Sequence, residues 1–437
     1  MTGEFPHPPT ASRRVPPSPH GRGNNWYADT ASDLPHLPPL SGDVSAEVCV
    51  VGAGFTGLGA AMALGGRAIV LEASEVGAAA TGRNGGQVHT GQRRDQAWLE
   101  KAVGPDDALA LWRLAEDARA CFRTLTETIA CDWRPGLIHA RHKPGGEAED
   151  AAHIALMAER YGYDQLALIG EKDLAHDLGT DVYHGGLIDR GGGHVHPLKL
   201  AGGMAQRALA AGATIHAHTR AETWRRAGGK IVVETRTGRV TCDQLILTGD
   251  GSLNVMAGPA RARVMPINNF IAVTAPLGAL AEEIIRSNAA VSDSRFVVNY
   301  FRKTPDGRLL FGGGENYRPG FPRDIAGMVR KNLAKVYPRL AEVPITHAWG
   351  GTLGITMNRM PFVGEIAPGV RVASGYSGQG VMLAPHVGQL LAEAALGRPD
   401  GVDLLARLPT PPFPGGRWLR WPLTVAGLSW YALRDRL

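Results

Sequence analysis

Apolar runs of strand length alternate with helix-period segments along most of this chain, and their order constrains the fold. Glu47-Val-Cys-Val-Val-Gly52 is apolar between its ends, as a parallel strand buried on both faces must be. Thr56 to Leu64 has helix composition and Ala68-Ile-Val-Leu71 reads as a second strand of the same sheet, so the spacing predicts a βαβ unit beginning near Ala46. Helical periodicity returns from about 105 to 131 (Leu109, Leu111, Leu114, Ala118, Phe122, Leu125), at 148 to 160 after Pro144-Gly-Gly146, and over Leu198 to Ala210. Then come a strand at Ala213 to Ala217, a hairpin pattern at Lys230 to Thr235 and Arg239 to Asp243, and Gln244-Leu-Ile-Leu-Thr248 leading into a glycine turn. Phe270 to Thr274, Arg295 to Phe301 and Arg308 to Phe311 suggest an antiparallel sheet instead.

Parallel and antiparallel pieces thus interleave. The pattern predicts an α/β protein in which a Rossmann-like nucleotide-binding domain (46–95, 187–255 and 346–437) is interleaved with an antiparallel-sheet substrate domain (96–186 and 256–345). Nine of the 30 prolines lie in the first 40 residues, so 1–45 is expected to be an extended arm without regular secondary structure. No internal repeat is present.

The glycine spacing brings in chemistry. In Gly52-Ala-Gly54-Phe55-Thr56-Gly57 the first glycine makes the turn, the second admits a pyrophosphate, and the third lets helix and strand approach. Backbone N–H groups and the helix dipole then face the phosphates. Glu72 closes the next strand about 20 residues on, followed by Ala73, where its carboxylate can accept ribose hydroxyls. Flavin and nicotinamide dinucleotides share this half of the signature. Three later segments add to it: the glycine-rich loop Ala80-Thr-Gly82-Arg83-Asn84-Gly85-Gly86-Gln87-Val88-His89, the turn at Gly249-Asp-Gly251, and Gly375-Tyr376-Ser377-Gly378-Gln379-Gly380-Val381 before a helix expected to begin near Pro385. A helix N-terminus there would stabilise negative charge on a reduced ring.

Composition narrows the classes. With 437 residues, 44% of them apolar, the chain has ample core and excludes a disulfide-stapled module. A net charge of +5 with no long basic block argues against nucleic acid as a partner. Cys49, Cys121, Cys131 and Cys242 show no CxxC spacing, no apolar stretch follows Arg13-Arg14 as an export signal requires, and no run reaches membrane-spanning length. A cytoplasmic enzyme is expected, with the apolar tail Trp418 to Leu437 as a docked helix. His194-Val-His196 has a spacing compatible with metal binding, but no third ligand pattern accompanies it, and a loop near the domain junction is the preferred reading; no metal is expected.

These motifs resemble the D-amino-acid oxidase superfamily of FAD-dependent oxidoreductases, and most closely its gamma-glutamylputrescine oxidoreductase branch. The resemblance rests on Val50 to Gly57, Thr81 to Gln87, Gly193 to Lys199, Arg308 to Gly313, Trp349-Gly-Gly-Thr-Leu-Gly-Ile-Thr-Met-Asn-Arg-Met-Pro361, Gly375 to Gly380, Phe413 to Gly416 and Arg434 to Leu437. It implies FAD bound noncovalently, because the late loop 349–361, where sarcosine oxidases carry an attachment cysteine, has none. It further implies hydride transfer from the carbon bearing a neutral amine to flavin N5, imine hydrolysis, and oxygen or another electron acceptor as partner. No obligatory side-chain base is needed, so the site must orient, exclude water and stabilise charge. Candidates for the flavin face are Arg83, Gln87, His89, Trp349, Leu353, Tyr376 and Gln379. Glycine-oxidase-like relatives place a carboxylate-binding arginine four residues after the loop tryptophan; here that residue is Leu353, with Arg83, Arg302 and Arg359 as conceivable substitutes. An amine without an adjacent carboxylate, such as a gamma-glutamylated or free diamine, is the expected substrate. The alternative is an N-substituted glycine or small amino acid. An RNA-modifying flavoprotein is disfavoured by the absence of a basic patch. Two departures from the family pattern stand out: a first helix about three residues short, closed at Leu64-Gly-Gly-Arg67, and Asp250 in a turn usually neutral, expected to point away or cap a helix. Oligomeric state is not encoded in any motif.

Overall fold

A computed structural model describes residues 21–32, 34–252, 255–316 and 320–414. The apolar run Val44–Val51 is the middle of an eight-stranded sheet in which Val370–Ser374, Arg239–Leu247, Val44–Val51, Ala68–Leu71 and Thr214–His216 lie parallel in that order. Phe362–Ala367 adds an antiparallel edge, and Ala221–Ala227 with Lys230–Thr235 continues from Arg239–Leu247 as a meander. The hairpin strand and the returning strand expected on either side of Asp243 are therefore one continuous strand.

The helix Phe55–Leu64 crosses from the first parallel strand to the second and ends in a 3-10 turn at Gly65–Arg67, the tight closure its short length requires. It sits against the sheet because a Cβ at Gly57 would lie 1.8 Å from the Gly52 carbonyl oxygen. Beside it runs Gly380–Ala395, which begins five residues before the position expected from the sequence and carries Pro385 inside it. The two helices cross through glycine: a Cβ at Gly59 would meet the Pro385 carbonyl oxygen at 2.1 Å, and one at Gly388 the Thr56 carbonyl oxygen at 2.1 Å. Both helix starts reach one cavity, and Thr56 at the first bonds to Tyr376 just ahead of the second.

The second sheet has ten strands and is antiparallel except where Ala290–Asp293 joins Arg134–Ala140. It contains Gly186–His194 and Ile345–Ile355, segments that the sequence reading grouped with the nucleotide-binding strands. The strand expected over Arg295 to Phe301 is displaced to Tyr300–Lys303, with Ala290–Asp293 before it. Helices Pro105–Thr128, Glu147–Tyr161 and Pro197–Ala210 match the periodicity.

The arm departs most from expectation. Gly21–Asn24 pairs with Ile345–Ile355, and Trp26–Thr30 is a short helix whose cap, Asn25, accepts from the Tyr27 amide at 3.0 Å and donates to the Gly82 carbonyl at 2.8 Å. Trp26 and Tyr27 are buried against Trp349 and His196, so two aromatic side chains override the surrounding prolines. Arg13-Arg14, the tail beyond Pro414 and its proposed docked helix lie outside the described residues. Among the described residues no helix is long and apolar enough to cross a membrane.

Candidate active site

The paired helix N-termini open onto a cavity of about 740 Å³ between the sheets, lined by Gly54, Phe55 and Thr56 from one helix start and Gly380 and Val381 from the other. Gly54 has no side chain and that of Gln379 makes no capping bond, so neither helix start is capped by its own N-cap residue, and Thr81 Oγ1 accepts the Phe55 amide at 3.2 Å. Two dipole ends at one cavity suit a phosphate-bearing anion. Behind them the Glu72 carboxylate accepts the Ala53 amide at 2.8 Å on one oxygen and the Ser74 amide at 2.9 Å on the other. Burial raises its pKa, and those amides oppose the rise. Gly52, Gly57, Glu72, Ala73, Gly86, Gly249 and Gly375 lie outside the cavity wall and shape the turns around it.

The glycine-rich loop forms one wall. Asn84 turns it internally, donating to the Ala80 and Thr81 carbonyls and accepting the Gly86 amide at 2.7 Å. Gly85 lies against the ring of Tyr300, and the Gln87 amide donates to the Val291 carbonyl at 2.6 Å. Arg83 commits Nε to the Ala78 carbonyl and Nη1 to the Gly350 carbonyl. Opposite, Tyr376 and Thr56 share a 2.8 Å hydroxyl bond that locks the two helix starts together. Ser377 bonds through Oγ to the Gly375 carbonyl and the Thr356 amide, and Gly378 presents open space where a side chain would project. Leu353 and His89 also line the cavity. His89 is 5.4 Å from His139, and burial, then His139 and Arg93, hold it well below the usual histidine pKa.

Four expectations need correction. Trp349 is fully buried and off the cavity: its ring packs on Tyr27 at 5.3 Å and its Nε1 supports the Arg83 carbonyl at 3.1 Å, so it braces the loop from behind. Gln379 lines the cavity, but its Nε2 is directed at the carbonyls of Thr90, Gly91 and Gln92, fastening the loop to the last helix. Asp250 neither points away nor caps a helix; it accepts the Gly354 and Gly375 amides, each at 2.7 Å, and so ties the two late loops together. Arg302 is buried and spends its donors on Gly85, Val195, Lys303 and Tyr27, which removes it as a carboxylate ligand. The cavity also contains Arg93, Arg94, His139 and Asp189, which sequence reasoning missed. None lies in a recognisable motif, and only tertiary pairing brings them together.

His194 and His196 do not converge. Nε2 of His194 faces the Asn288 carbonyl at 3.0 Å, whereas His196 accepts the Lys199 amide on Nδ1 as a helix cap and meets Thr30 Oγ1 through Nε2. No group of three metal-binding side chains occurs among the described residues. Burial, then Arg302, lowers both histidines to about 3. Their folded pKa values lie below the unfolded one, so the stabilising contribution is complete above about pH 6.5 and is lost as pH falls toward 3. Unfolding free energy is expected to drop by about 2 kcal/mol per histidine between pH 7 and 5. Denaturant titration of the wild type and of His194→Asn and His196→Asn checks this; variants with an unchanged acid limb would contradict it.

The uncapped helix starts, the glycine crossing and the oriented Glu72 carboxylate fit a flavin dinucleotide, and the fold and site define a flavin-dependent oxidoreductase. Residues 47–394 match the DAO family, described as FAD dependent oxidoreductase, and the chain belongs to it. FAD is its cofactor, and no cysteine lies on the cavity wall to attach it. The chain is 42% identical over 424 residues to a probable oxidoreductase OrdL of Rhizobium meliloti (96% of this chain, 99% of that one). It is 36% identical over 423 residues to gamma-glutamylputrescine oxidoreductase of Escherichia coli (95% and 98%). Glycine oxidase from Bacillus cereus shares the fold at a TM-score of 0.68 and 19% identity, covering 83% of this chain and 98% of that one.

Proposed function

We propose that the protein oxidises the C–N bond of a primary or secondary amine that lacks a carboxylate next to the reacting carbon, a gamma-glutamylated or free diamine being the favoured class. The observation that carries this reading is Leu353, an apolar side chain on the cavity wall where a carboxylate would need an arginine, while Arg83 keeps Nε and Nη1 on backbone carbonyls. A carboxylate brought against that wall without a cation would lose several kcal/mol of solvation, on the order of what an unpaired buried ion costs. Overall similarity to gamma-glutamylputrescine oxidoreductase supports the same choice.

FAD supplies a two-electron acceptor: the amine carbon gives up a hydride, its nitrogen a proton, and water converts the imine to carbonyl and amine. The two electrons would then pass, with two protons, to O2 to give H2O2, or to another electron acceptor. The chain's own residues orient and enclose. The Tyr376–Thr56 bond fixes the two helix starts whose amides attract negative charge, Gln379 and Asp250 hold the loops closed, and His89, kept neutral by burial, adds no charge to repel the amine. We assign the substrate domain to the ten-stranded sheet, whose strands Gly186–His194 and Ile345–Ile355 extend the bounds 96–186 and 256–345 expected from the sequence, with the catalytic pocket at its seam with the FAD domain.

An amine panel read for both peroxide and dye reduction tests the reading. Putrescine derivatives should exceed glycine, sarcosine and N-alkylglycines in kcat/KM; the reverse order overturns it. For the cofactor half, Glu72→Ala should weaken FAD retention by roughly 10- to 100-fold with the fold intact, since charge-assisted bonds contribute about 1.5–3 kcal/mol. Equal FAD affinity in mutant and wild type would remove Glu72 from the site.

A further inference from the structure

We propose that Arg93, flanked by Arg94 and Arg359, forms a subsite for a carboxylate at the end of the substrate remote from the oxidised carbon. The inference rests on the amine-oxidation reading above and names what the far end of that amine carries. All three arginines are among the residues that line the cavity. Arg93 donates through Nε to the Ser377 carbonyl at 3.1 Å, which fixes the plane of its guanidinium; neither Nη has a protein partner among the described residues. Arg94 is held in the same way, with Nε on the Asn358 carbonyl at 2.9 Å and its guanidinium 5.2 Å over the Trp98 ring. Arg359, at a left-handed φ of 70°, carries its guanidinium over Phe296 at 5.7 Å.

No carboxylate of the described residues forms an ion pair with Arg93 or Arg94. The adjacent acid, Asp95, also lines the cavity but pairs with neither arginine and accepts the Trp98 amide at 2.8 Å as the cap of the next helix. The charges that act on Arg93 are the cations Arg359 and Arg94, and together with burial they lower it to about 10. A partly buried cluster of like charges costs free energy unless an anion completes it, and a guanidinium anchored by Nε offers its two Nη groups as the planar fork a carboxylate fits. His89 and His139, which share this wall, are held neutral by burial and supply no counter-charge. The apolar Leu353 and the cationic cluster therefore divide the cavity's tasks: one excludes a carboxylate from the reacting carbon, the other accepts it further along the chain.

The test uses the holoenzyme and two amines that differ only at the remote end: putrescine monoacylated with glutaric acid, and the same compound with its free carboxyl converted to a neutral amide. The wild type should prefer the acid by about 30-fold or more in kcat/KM, as desolvated charge pairs permit. Arg93→Gln should shrink that preference to within about threefold, and Arg93→Lys should restore part of it. Glutarate, which has no amine to oxidise, should perturb the flavin absorbance on binding, and its affinity should fall in Arg93→Gln. No preference in the wild type, an unchanged preference in Arg93→Gln, or an equal loss on both amines would overturn the subsite, and the last two results with a shifted flavin spectrum would assign the cluster to the cofactor. If neither amine were oxidised while glutarate binding still depended on Arg93, the amine reading would fail and the carboxylate site would stand.

Discussion

Gly57→Val is expected to yield protein without flavin. A Cβ there would stand 1.8 Å from the Gly52 carbonyl oxygen, which is backbone and cannot swing aside, and 2.8 Å from the side-chain Thr248 Oγ1. The helix Phe55–Leu64 would have to lift off the turn, carrying its N–H groups away from the phosphate position and opening the glycine crossing at Gly59 and Gly388. Core overpacking against rigid backbone belongs to the severe class, about 4 kcal/mol or more. FAD content per chain and the melting temperature read the effect; a variant with full flavin and the wild-type Tm would contradict the packing account.

Arg302→Leu should be nearly as damaging, for an electrostatic reason. The guanidinium is 2% exposed and forms no ion pair among the described residues, yet it donates to the carbonyls of Gly85, Val195 and Lys303 and to the Tyr27 hydroxyl. Removing it orphans several buried acceptors at once, at about 3–5 kcal/mol in sum. It also frees the glycine-rich loop from the N-terminal helix, so turnover should fall along with stability. Tyr27→Phe removes one partner and should cost only about 1 kcal/mol. Urea unfolding of both variants measures the difference, and equal losses would show that the network is not organised around Arg302.

What was legible in the sequence was local. Gly52, Gly54, Gly57 and Glu72 sit within one strand-turn-helix-strand unit, so their spacing specifies their geometry. Asp250 stands out in a turn usually neutral, but its partners, the Gly354 and Gly375 amides, are more than 100 residues away and carry no side-chain signature. Pro385 misplaced the last helix because proline inside a helix normally forfeits a hydrogen bond and clashes with the preceding turn. Trp349 read as a flavin contact because nothing in 349–361 reveals that Tyr27, from a proline-rich arm, covers its ring. Arg93 and Arg94 carry no local signal for a similar reason: a pair of arginines in a connection is ordinarily a solvated one, and only the approach of Ser377, Asn358 and Arg359 makes it part of a wall.

The central claim, that this flavoenzyme oxidises amines without a carboxylate beside the reacting carbon, is tested most directly by its reductive half-reaction. The holoenzyme is mixed anaerobically with gamma-glutamylputrescine or with sarcosine, and the bleaching of the flavin is followed in time, which isolates amine oxidation from the choice of electron acceptor. The account predicts bleaching by gamma-glutamylputrescine at least about 30-fold faster at equal subsaturating concentration, the discrimination expected when a carboxylate must otherwise desolvate against Leu353. Faster bleaching by sarcosine would contradict it.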